Sequence, residues 1–247
     1  MTSFPQRTAR FGVRTLLIFV AVGLVALPFA LLLALVRSSW PPLADLDEDV
    51  ARSIHSFALE HSTFTAVMRA LSDSGASVVW WVVLGLLVCW LAYRRRVRLA
   101  VWVAVTGIGS SLLNLAIKTV VGRTRPVLPD ALVHATGKSF PSGHTQAAIV
   151  GYGILVLVLL PLAHRWWRGL LVGLAATMVL LIGFSRIALG AHYLSDVVGA
   201  LVIGSAWLLG TTAAFSAWRR EIGKPPVHVT EGLEPERADE LIPHSRS

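Results

Sequence analysis

Apolar residues along this chain gather in six nearly unbroken runs, with polar residues concentrated between them. Each run is close to the ~20 residues that an α-helix needs to cross ~30 Å of hydrocarbon. Strands of a transmembrane barrel are excluded because their apolar and polar residues alternate. The pattern therefore predicts six transmembrane helices, over Leu16–Val36, Ala76–Tyr93, Leu99–Val121, Thr145–Ala163, Gly169–Leu189 and Tyr193–Ala217.

The longest connection, residues 37–77, follows a different pattern. Apolar residues recur there at helical spacing among charged ones, first from Leu46 to Phe57 and again from Phe64 to Leu71. We predict two amphipathic helices on the outer face of the membrane. Two interpretations stay open, a gate for substrate entry and a packed cap without a role in entry.

The composition agrees with a membrane protein. Of the 247 residues, 55% are hydrophobic and 15% are charged, whereas a soluble domain has about 25% charged residues. The single cysteine, Cys89, lies within an apolar run, which excludes a disulfide framework and indicates no redox chemistry. We predict an all-α, polytopic membrane protein with one domain at 15–217 and tails at 1–14 and 218–247.

The net charge of +8 comes from basic residues on alternate connections between the predicted spans. They occur in the N-terminal tail, in the turn Arg94–Arg98, after the fourth span and at the start of the C-terminal tail. By the positive-inside rule these segments are cytoplasmic, so 37–77, 122–144 and the bend near Gly190 face outside. The charge therefore indicates membrane orientation rather than nucleic-acid binding.

Two predictions concern the ends of the chain. The first apolar run follows basic residues, as a signal peptide does, but it is longer than the usual ~7–15 residues and has no clear cleavage site. We predict an uncleaved membrane anchor. Beyond Lys224 the chain is polar and rich in proline and carboxylates, and we predict disorder there.

Ionisable residues cluster at three places on the predicted outer side, where they are costly unless they snorkel, pair or serve a site. The first cluster runs from Lys118 to Pro126 and the second from Ser139 to His144. The third runs from Ser185 to Asp196 between the last two spans. Since alternation places all three at one depth, we expect them to meet in one site.

The residue types in these clusters suit a phosphoryl group. Three cations can neutralise its charge, and the hydroxyl and backbone N–H groups at the start of the fourth span form an anion site. The carboxylate of Asp196, four residues after His192, can orient that imidazole as a nucleophile. His144 is then free to act as a general acid. The three cations are Lys118, Arg125 and Arg186, and the helix start is Ser142-Gly143.

Each feature also has a simpler interpretation. Arg123 or Lys138 alone is typical of a snorkelling anchor, a His–Asp pair of a helix surface and Ser-Gly of a cap. Asn114 lies among small residues and indicates close helix packing. No role is predicted for His55, His61, His134, His164, His228 and His244.

Together, the three clusters resemble the three-part signature of the type 2 phosphatidic acid phosphatase and vanadium haloperoxidase superfamily. Any one part is a weak signal, but three in the right order on a six-span chain are specific. The resemblance covers about 99–200 by motif and 15–217 by span pattern. The matching positions are Lys118, Arg125 and Pro126, then Pro141-Ser142-Gly143-His144, then Ser185, Arg186, His192 and Asp196.

The resemblance implies a role for each position. His192 would attack phosphorus and form a phosphohistidine, Asp196 would orient it, and His144 would protonate the leaving group and later activate water. No metal or other cofactor is implied. The phosphoryl oxygens would be held by Lys118, Arg125, Ser142, Gly143 and Arg186.

The resemblance also implies a lipid phosphatase of a bacterial-type cytoplasmic membrane, with both termini inside and the site outside. The candidate substrates are a polyprenyl diphosphate such as undecaprenyl diphosphate, phosphatidic acid and phosphatidylglycerol phosphate. The expected partners are the lipid substrate and the bilayer, with no nucleic acid and no obligate protein partner. The alternatives are a non-catalytic anion or lipid channel or transporter, and a vanadate-dependent haloperoxidase-like activity.

Overall fold

The computed structural model describes residues 26–130, 132–133 and 135–236. Within these residues the chain is helical, and the only β pairing is an isolated bridge between His228 and Gly232. The all-α prediction is therefore confirmed. The helices are α1 (Ala26–Arg37), α2 (Pro41–Glu60), α3 (Ser62–Ser74), α4 (Ser77–Tyr93), α5 (Val97–Val121), α6 (Gly143–Leu159), α7 (Arg165–Ala188) and α8 (Leu194–Glu221).

Four of the described helices are long and apolar enough to cross a membrane, namely α5, α7, α8 and α6 with its 3-10 extension to Leu162. Two further spans require bent pairs, α1 with α2 at 84° and α3 with α4 at 41°. The chain is thus a multi-pass membrane protein. The count of six spans stays a prediction, and part of the predicted first span and the N-terminal tail lie outside the described residues.

Several helix bounds extend beyond the predicted apolar runs. Helix α5 begins two residues before Leu99, α6 begins two residues before Thr145, and α8 continues to Glu221. A hydropathy pattern marks the part of a helix that lies in hydrocarbon, whereas backbone hydrogen bonding continues into the polar flanks. The end of α5 agrees with the prediction, because Gly122 adopts φ 68° and donates its N–H to the Lys118 carbonyl.

Helix α6 is the centre of the bundle and packs against α4, α5, α7 and α8. Small residues allow this close approach. A Cβ added at Gly151 would lie 2.1 Å from the Trp80 ring of α4, and one added at Gly153 would lie 2.2 Å from Leu208 of α8. A buried core cluster around Leu91, Val103 and Ile154 packs at this interface.

The helices of the outer connection bury a different face from the one that the apolar spacing suggests. In α2 the buried side chains are Asp47, Ala51, His55 and Ala58, which face α7 and α8, whereas Leu46 and Phe57 are about half exposed. The small and polar residues therefore make the protein contact, and the larger apolar ones are left for a lipid environment. The amphipathic character is as predicted, but the packed face is the polar one.

Residues 225–236 pack against the bundle, whereas the rest of the tail predicted to be disordered, 237–247, lies outside the described residues. The Leu233 N–H donates to the Leu157 carbonyl at 2.8 Å, and the Leu233 side chain is buried in the bundle core. The Glu234 carboxylate is buried 3.5 Å from the Arg219 guanidinium. Polar composition misleads here because an ion pair with α8 anchors the segment, an arrangement that the local sequence does not reveal.

Candidate active site

A cavity of about 470 Å³ opens where α5, α6 and α7 end on one side of the bundle. The structure brings together residues from all three predicted clusters at this cavity. Two other predicted residues, Ser142 and Asp196, are fully buried behind the lining. The predicted residues that line the cavity are Lys118, Arg125, Gly143, His144, Arg186 and His192.

His192 lies between α7 and α8 with its imidazole 1% exposed. Its Nδ1 is 3.2 Å from Asp196 Oδ2, and its Nε2 is 3.0 Å from Arg125 Nη1. A carboxylate can only accept and a guanidinium can only donate, so Nδ1 carries the proton and Nε2 carries the lone pair. Burial lowers the pKa of His192 to about 4, and the nearby Arg125 and Arg186 cations act in the same direction against Asp196.

The Asp196 carboxylate is surrounded by donors. Its Oδ2 atom accepts from the Ser139 hydroxyl and, at 2.9 Å, from the Tyr193 N–H, in addition to His192. The Tyr193 contact also caps α8, so the same carboxylate begins the helix and orients the imidazole. Its Oδ1 atom accepts from Arg123 Nη1 at 2.9 Å.

Arg125 binds backbone carbonyls of the loop that lines the cavity. Its guanidinium donates to the carbonyls of Ala191 at 2.7 Å, Thr136 at 3.1 Å and Gly137 at 3.2 Å. These neutral acceptors hold the side chain without cancelling its charge. The guanidinium therefore remains a cation beside His192 Nε2.

Lys118 of α5 and Arg186 of α7 add two cations to the cavity lining. Lys118 Nζ donates to the Lys138 carbonyl at 3.1 Å, and Arg186 Nη1 donates to the Ser72 hydroxyl of α3. The buried Nε of Arg186 has no hydrogen-bond partner among the described residues. A buried donor without a partner is costly, and an anion in the cavity would satisfy it.

Ser142 and Gly143 have different roles at the start of α6. Ser142 is the N-cap, and its hydroxyl accepts from the Thr145 hydroxyl at 3.0 Å. It is fully buried, so the structure places this predicted phosphate ligand as a helix cap off the cavity lining. Gly143 lines the cavity, and a Cβ there would lie 3.6 Å from Asn114 Oδ1 and 3.9 Å from Lys118 Nζ. The absent side chain therefore keeps the helix N-terminus open to a ligand.

Three residues that the sequence interpretation set aside are built into this region. Arg123, interpreted as a snorkelling anchor, pairs with Asp47 and Asp196 at 2.8 and 2.9 Å. Asn114, interpreted as a packing residue, donates to Gln146 Oε1 at 2.8 Å and also lines the cavity. His55 is buried with Nε2 at 2.9 Å from the Pro129 carbonyl. The spacing Arg123-x-Arg125 outside a span end was a signal for Arg123, but no local signal pointed to Asp47.

The geometry combines a desolvated imidazole, its carboxylate and three cations around one cavity. Among residues 26–130, 132–133 and 135–236, no group of three or more His, Cys, Asp or Glu side chains is placed to hold a metal ion. Cations and a helix N-terminus stabilise a phosphoryl group and its transition state. The arrangement can therefore support phosphoryl transfer to His192.

Several known proteins are similar to this chain. It is 28% identical over 194 residues to the undecaprenyl-diphosphatase of Sulfolobus acidocaldarius, covering 75% of this chain and 86% of that one. It is 29% identical over 163 residues to the undecaprenyl-diphosphatase BcrC of Bacillus subtilis, covering 64% and 78%. Phosphatidylglycerophosphatase B of Bacillus subtilis is 34% identical over 96 residues, covering 38% and 46%.

The fold has a match among solved structures. The crystal structure of a transmembrane PAP2-type phosphatidylglycerolphosphate phosphatase from Bacillus subtilis superposes with a TM-score of 0.68 at 24% identity, covering 80% of this chain and 95% of that one. The family model of the PAP2 superfamily matches residues 97–220, which include all eight predicted site residues. This chain therefore belongs to the PAP2 superfamily of membrane phosphatases.

Proposed function

We propose that this protein hydrolyses the phosphate monoester or diphosphate of a membrane lipid on the extracytoplasmic side, through a phosphohistidine at His192. One observation carries the proposal. The buried, neutral imidazole of His192 lines a cavity with Lys118, Arg125 and Arg186, and its Nε2 lone pair lies 3.0 Å from Arg125 Nη1. The carboxylate of Asp196 lies behind Nδ1, where it stabilises the cation that forms on attack.

The first half of the reaction forms the phosphoenzyme. His192 Nε2 attacks phosphorus, a bond forms between nitrogen and phosphorus, and the bond from phosphorus to the leaving oxygen breaks. His144 lines the same cavity from another helix and donates a proton to the leaving alkoxide or phosphate. The Nδ1 proton stays between His192 and Asp196.

The second half returns the enzyme to its starting state. Water attacks the phosphohistidine phosphorus while His144, now neutral, takes the proton of the water. The bond from phosphorus to Nε2 breaks and its electron pair returns to His192. Inorganic phosphate leaves, and the phosphoryl oxygens stay near the three cations and the open Gly143 N–H throughout.

A lipid substrate fits the surroundings of the cavity. An apolar groove of about 220 Å³ between α4, α5 and α6 shares Ser77 and Ser111 with the cavity, and Trp80, Leu84 and Val103 are among its lining residues. A hydrocarbon tail can therefore remain among apolar side chains while the headgroup reaches His192. The relatives named for undecaprenyl diphosphate and phosphatidylglycerophosphate support the same class of substrate.

Phosphate release from detergent-solubilised protein tests the activity. We expect the wild type to release phosphate from a lipid phosphate, His192→Ala to release none above background, and His164→Ala to equal the wild type. His164 is a matched control because it is exposed at the start of α7, outside the cavity lining. Equal release from the wild type and His192→Ala would favour the channel or transporter alternative.

Two further measurements refine the proposal. Because the cations on the cavity wall can supply the charge that a metal would, we expect EDTA to leave the activity unchanged. Loss of activity in EDTA that a divalent ion restores would contradict metal independence.

Competition among undecaprenyl diphosphate, phosphatidic acid and phosphatidylglycerol phosphate tests which lipid is the preferred substrate. A preference above tenfold, or ~1.4 kcal/mol in transition-state binding, would identify the class.

A further inference from the structure

Arg123 joins three parts of the fold that are distant in sequence. Its Nη1 donates to Ser195 Oγ at 2.6 Å and to Asp196 Oδ1 at 2.9 Å, and its Nη2 donates to Asp47 Oδ2 at 2.8 Å. The guanidinium also stacks over the Tyr193 ring at 4.2 Å. The side chain is 16% exposed, so these contacts are formed largely out of water.

Asp47 is the counterpart of Arg123 on the outer helix α2, and it is 1% exposed. Besides pairing with Arg123, it accepts from the Ser195 N–H at 2.9 Å and from the Ser195 hydroxyl. The first N–H groups of a helix lack partners within the helix, so Asp47 completes the N-terminus of α8 from another helix. Ser195, the residue that Asp47 binds, directly precedes Asp196.

Asp196 needs a cationic partner. Its carboxylate is fully buried, and a buried charge without a cationic partner is strongly unfavourable. Arg123 supplies that partner on Oδ1, which leaves Oδ2 for His192 Nδ1. Asp47 in turn fixes the direction of the guanidinium fork, because Nη2 points to α2 while Nη1 points to α8.

We propose that Asp47 and Arg123 are a positioning pair for the reaction: docking of α2 through Asp47 aims Arg123 at Asp196 and thereby sets the orientation and charge of His192. This inference rests on the proposed function. It assigns to the outer connection a task at the catalytic centre, since Asp47 lies outside the family match at 97–220. Neither residue lines the cavity beside His192, so in this proposal neither contacts the phosphoryl group.

The test compares Arg123→Gln, Arg123→Lys and Asp47→Asn with a matched control, Asp49→Asn. Asp49 is an exposed aspartate on the same helix, two residues away. We expect kcat to fall about 10- to 100-fold for Arg123→Gln, as for other partners that orient a reacting group. Arg123→Lys keeps the charge but loses the fork, so we expect an intermediate kcat. KM should change little because neither residue binds the headgroup, and Asp49→Asn should equal the wild type.

A pH profile separates positioning from a purely structural role. Asp196 faces Arg123, His192 and, across Arg123, Asp47 of α2, while Lys118 of α5 and Arg125 act on it from the cavity side. Without Arg123, the charge of Asp196 acts more strongly on the Nδ1 proton and raises the pKa of His192, so the acidic limb of kcat/KM should move upward in Arg123→Gln. Asp47→Asn loosens Arg123 but does not remove its charge, so we expect a lower kcat and a smaller upward shift than in Arg123→Gln.

Three results would overturn the positioning role. The first is a wild-type kcat and pH profile in Arg123→Gln. The second is a loss of kcat in Asp47→Asn and Arg123→Lys that only follows the folded fraction, measured by size-exclusion chromatography and thermal unfolding. The third is an equal loss in Asp49→Asn. Absence of phosphate release from the wild type would overturn the proposed function and this inference with it, whereas an active wild type with unaffected variants would overturn the inference alone.

Discussion

At the residue scale, His192 combines two properties that a phosphoryl acceptor needs. Burial disfavours its cationic form and lowers its pKa from the ordinary 6.5 to about 4, so the imidazole is neutral at physiological pH. Asp196 binds the Nδ1 proton and leaves the lone pair on Nε2, toward Arg125. The same side chain is therefore both available as a nucleophile and fixed in the reactive tautomer.

The lowered pKa of His192 has a measurable consequence. We expect the acidic limb of kcat/KM, corrected for the phosphate ionisation of the substrate near pH ~6, to lie near pH 4. A limb near pH 6.5 would mean that the imidazole is solvated in solution.

The same pKa difference affects the stability of the fold. The unfolded chain binds this proton below about pH 6.5, whereas the folded chain binds it only near pH 4. The stability that the neutral His192 contributes is therefore present above pH 6.5 and is lost as the pH falls through this window.

The sequence predicted the members of the cavity better than the residues that support them. Lys118, Arg125, His144 and His192 carry a recognisable spacing, and in the proposed function each acts on the phosphoryl group. Asp47 carries none, since it meets Arg123 only after the chain has folded. Side chains that touch a reacting group are constrained in type and spacing, whereas their buried partners can come from any nearby element.

At the element scale, glycines end two helices next to the site. Gly122 follows α5 with φ 68°, and Gly190 follows α7 with φ 71°. The first turn was predictable from Gly122 and Pro126. The second brings the backbone within reach of His55 of α2, a contact that the sequence did not reveal, since a Cβ on Gly190 would lie 3.0 Å from His55 Nδ1.

These glycines allow a graded test of helix ends. We expect Gly122→Ala to cost about 1–2 kcal/mol from its left-handed backbone. Gly190→Ala should cost more, because its Cβ also meets His55 and Leu128. Gly173→Ala, inside α7 with no atom within 4 Å of the added Cβ, should be neutral or stabilising. Thermal unfolding in detergent gives the ranking, and equal midpoints for Gly122→Ala and Gly173→Ala would contradict it.

At the scale of the whole molecule, the positions of the basic turns and of the cavity define the expected orientation. The basic turns lie at the opposite end of the bundle from the cavity, with Arg165 at the start of α7 and Arg186 in its last turn. From the positive-inside rule we therefore expect the cavity to face outside. The packed segment around Leu233 lies at the basic end, next to Leu157 of α6.

Single cysteines test this orientation in intact cells. In a Cys89→Ser background we expect Asp49→Cys on α2 to react with a membrane-impermeant maleimide. Arg165→Cys should react only after permeabilisation, because it lies on the predicted cytoplasmic side. Both positions are exposed in the fold, so burial does not limit either reaction. Labelling of Arg165→Cys in intact cells, with Asp49→Cys protected, would reverse the orientation.

Trapping of the phosphoenzyme tests the central claim most directly. A lipid phosphate labelled with radioactive phosphorus and carrying a good leaving group is mixed with the wild type, His144→Ala and His192→Ala, and each reaction is quenched in alkali. We expect an alkali-stable, acid-labile label at position 192, stronger in His144→Ala because hydrolysis has lost its base, and none in His192→Ala. Continued phosphate release without label at position 192, or label on another residue, would contradict the account.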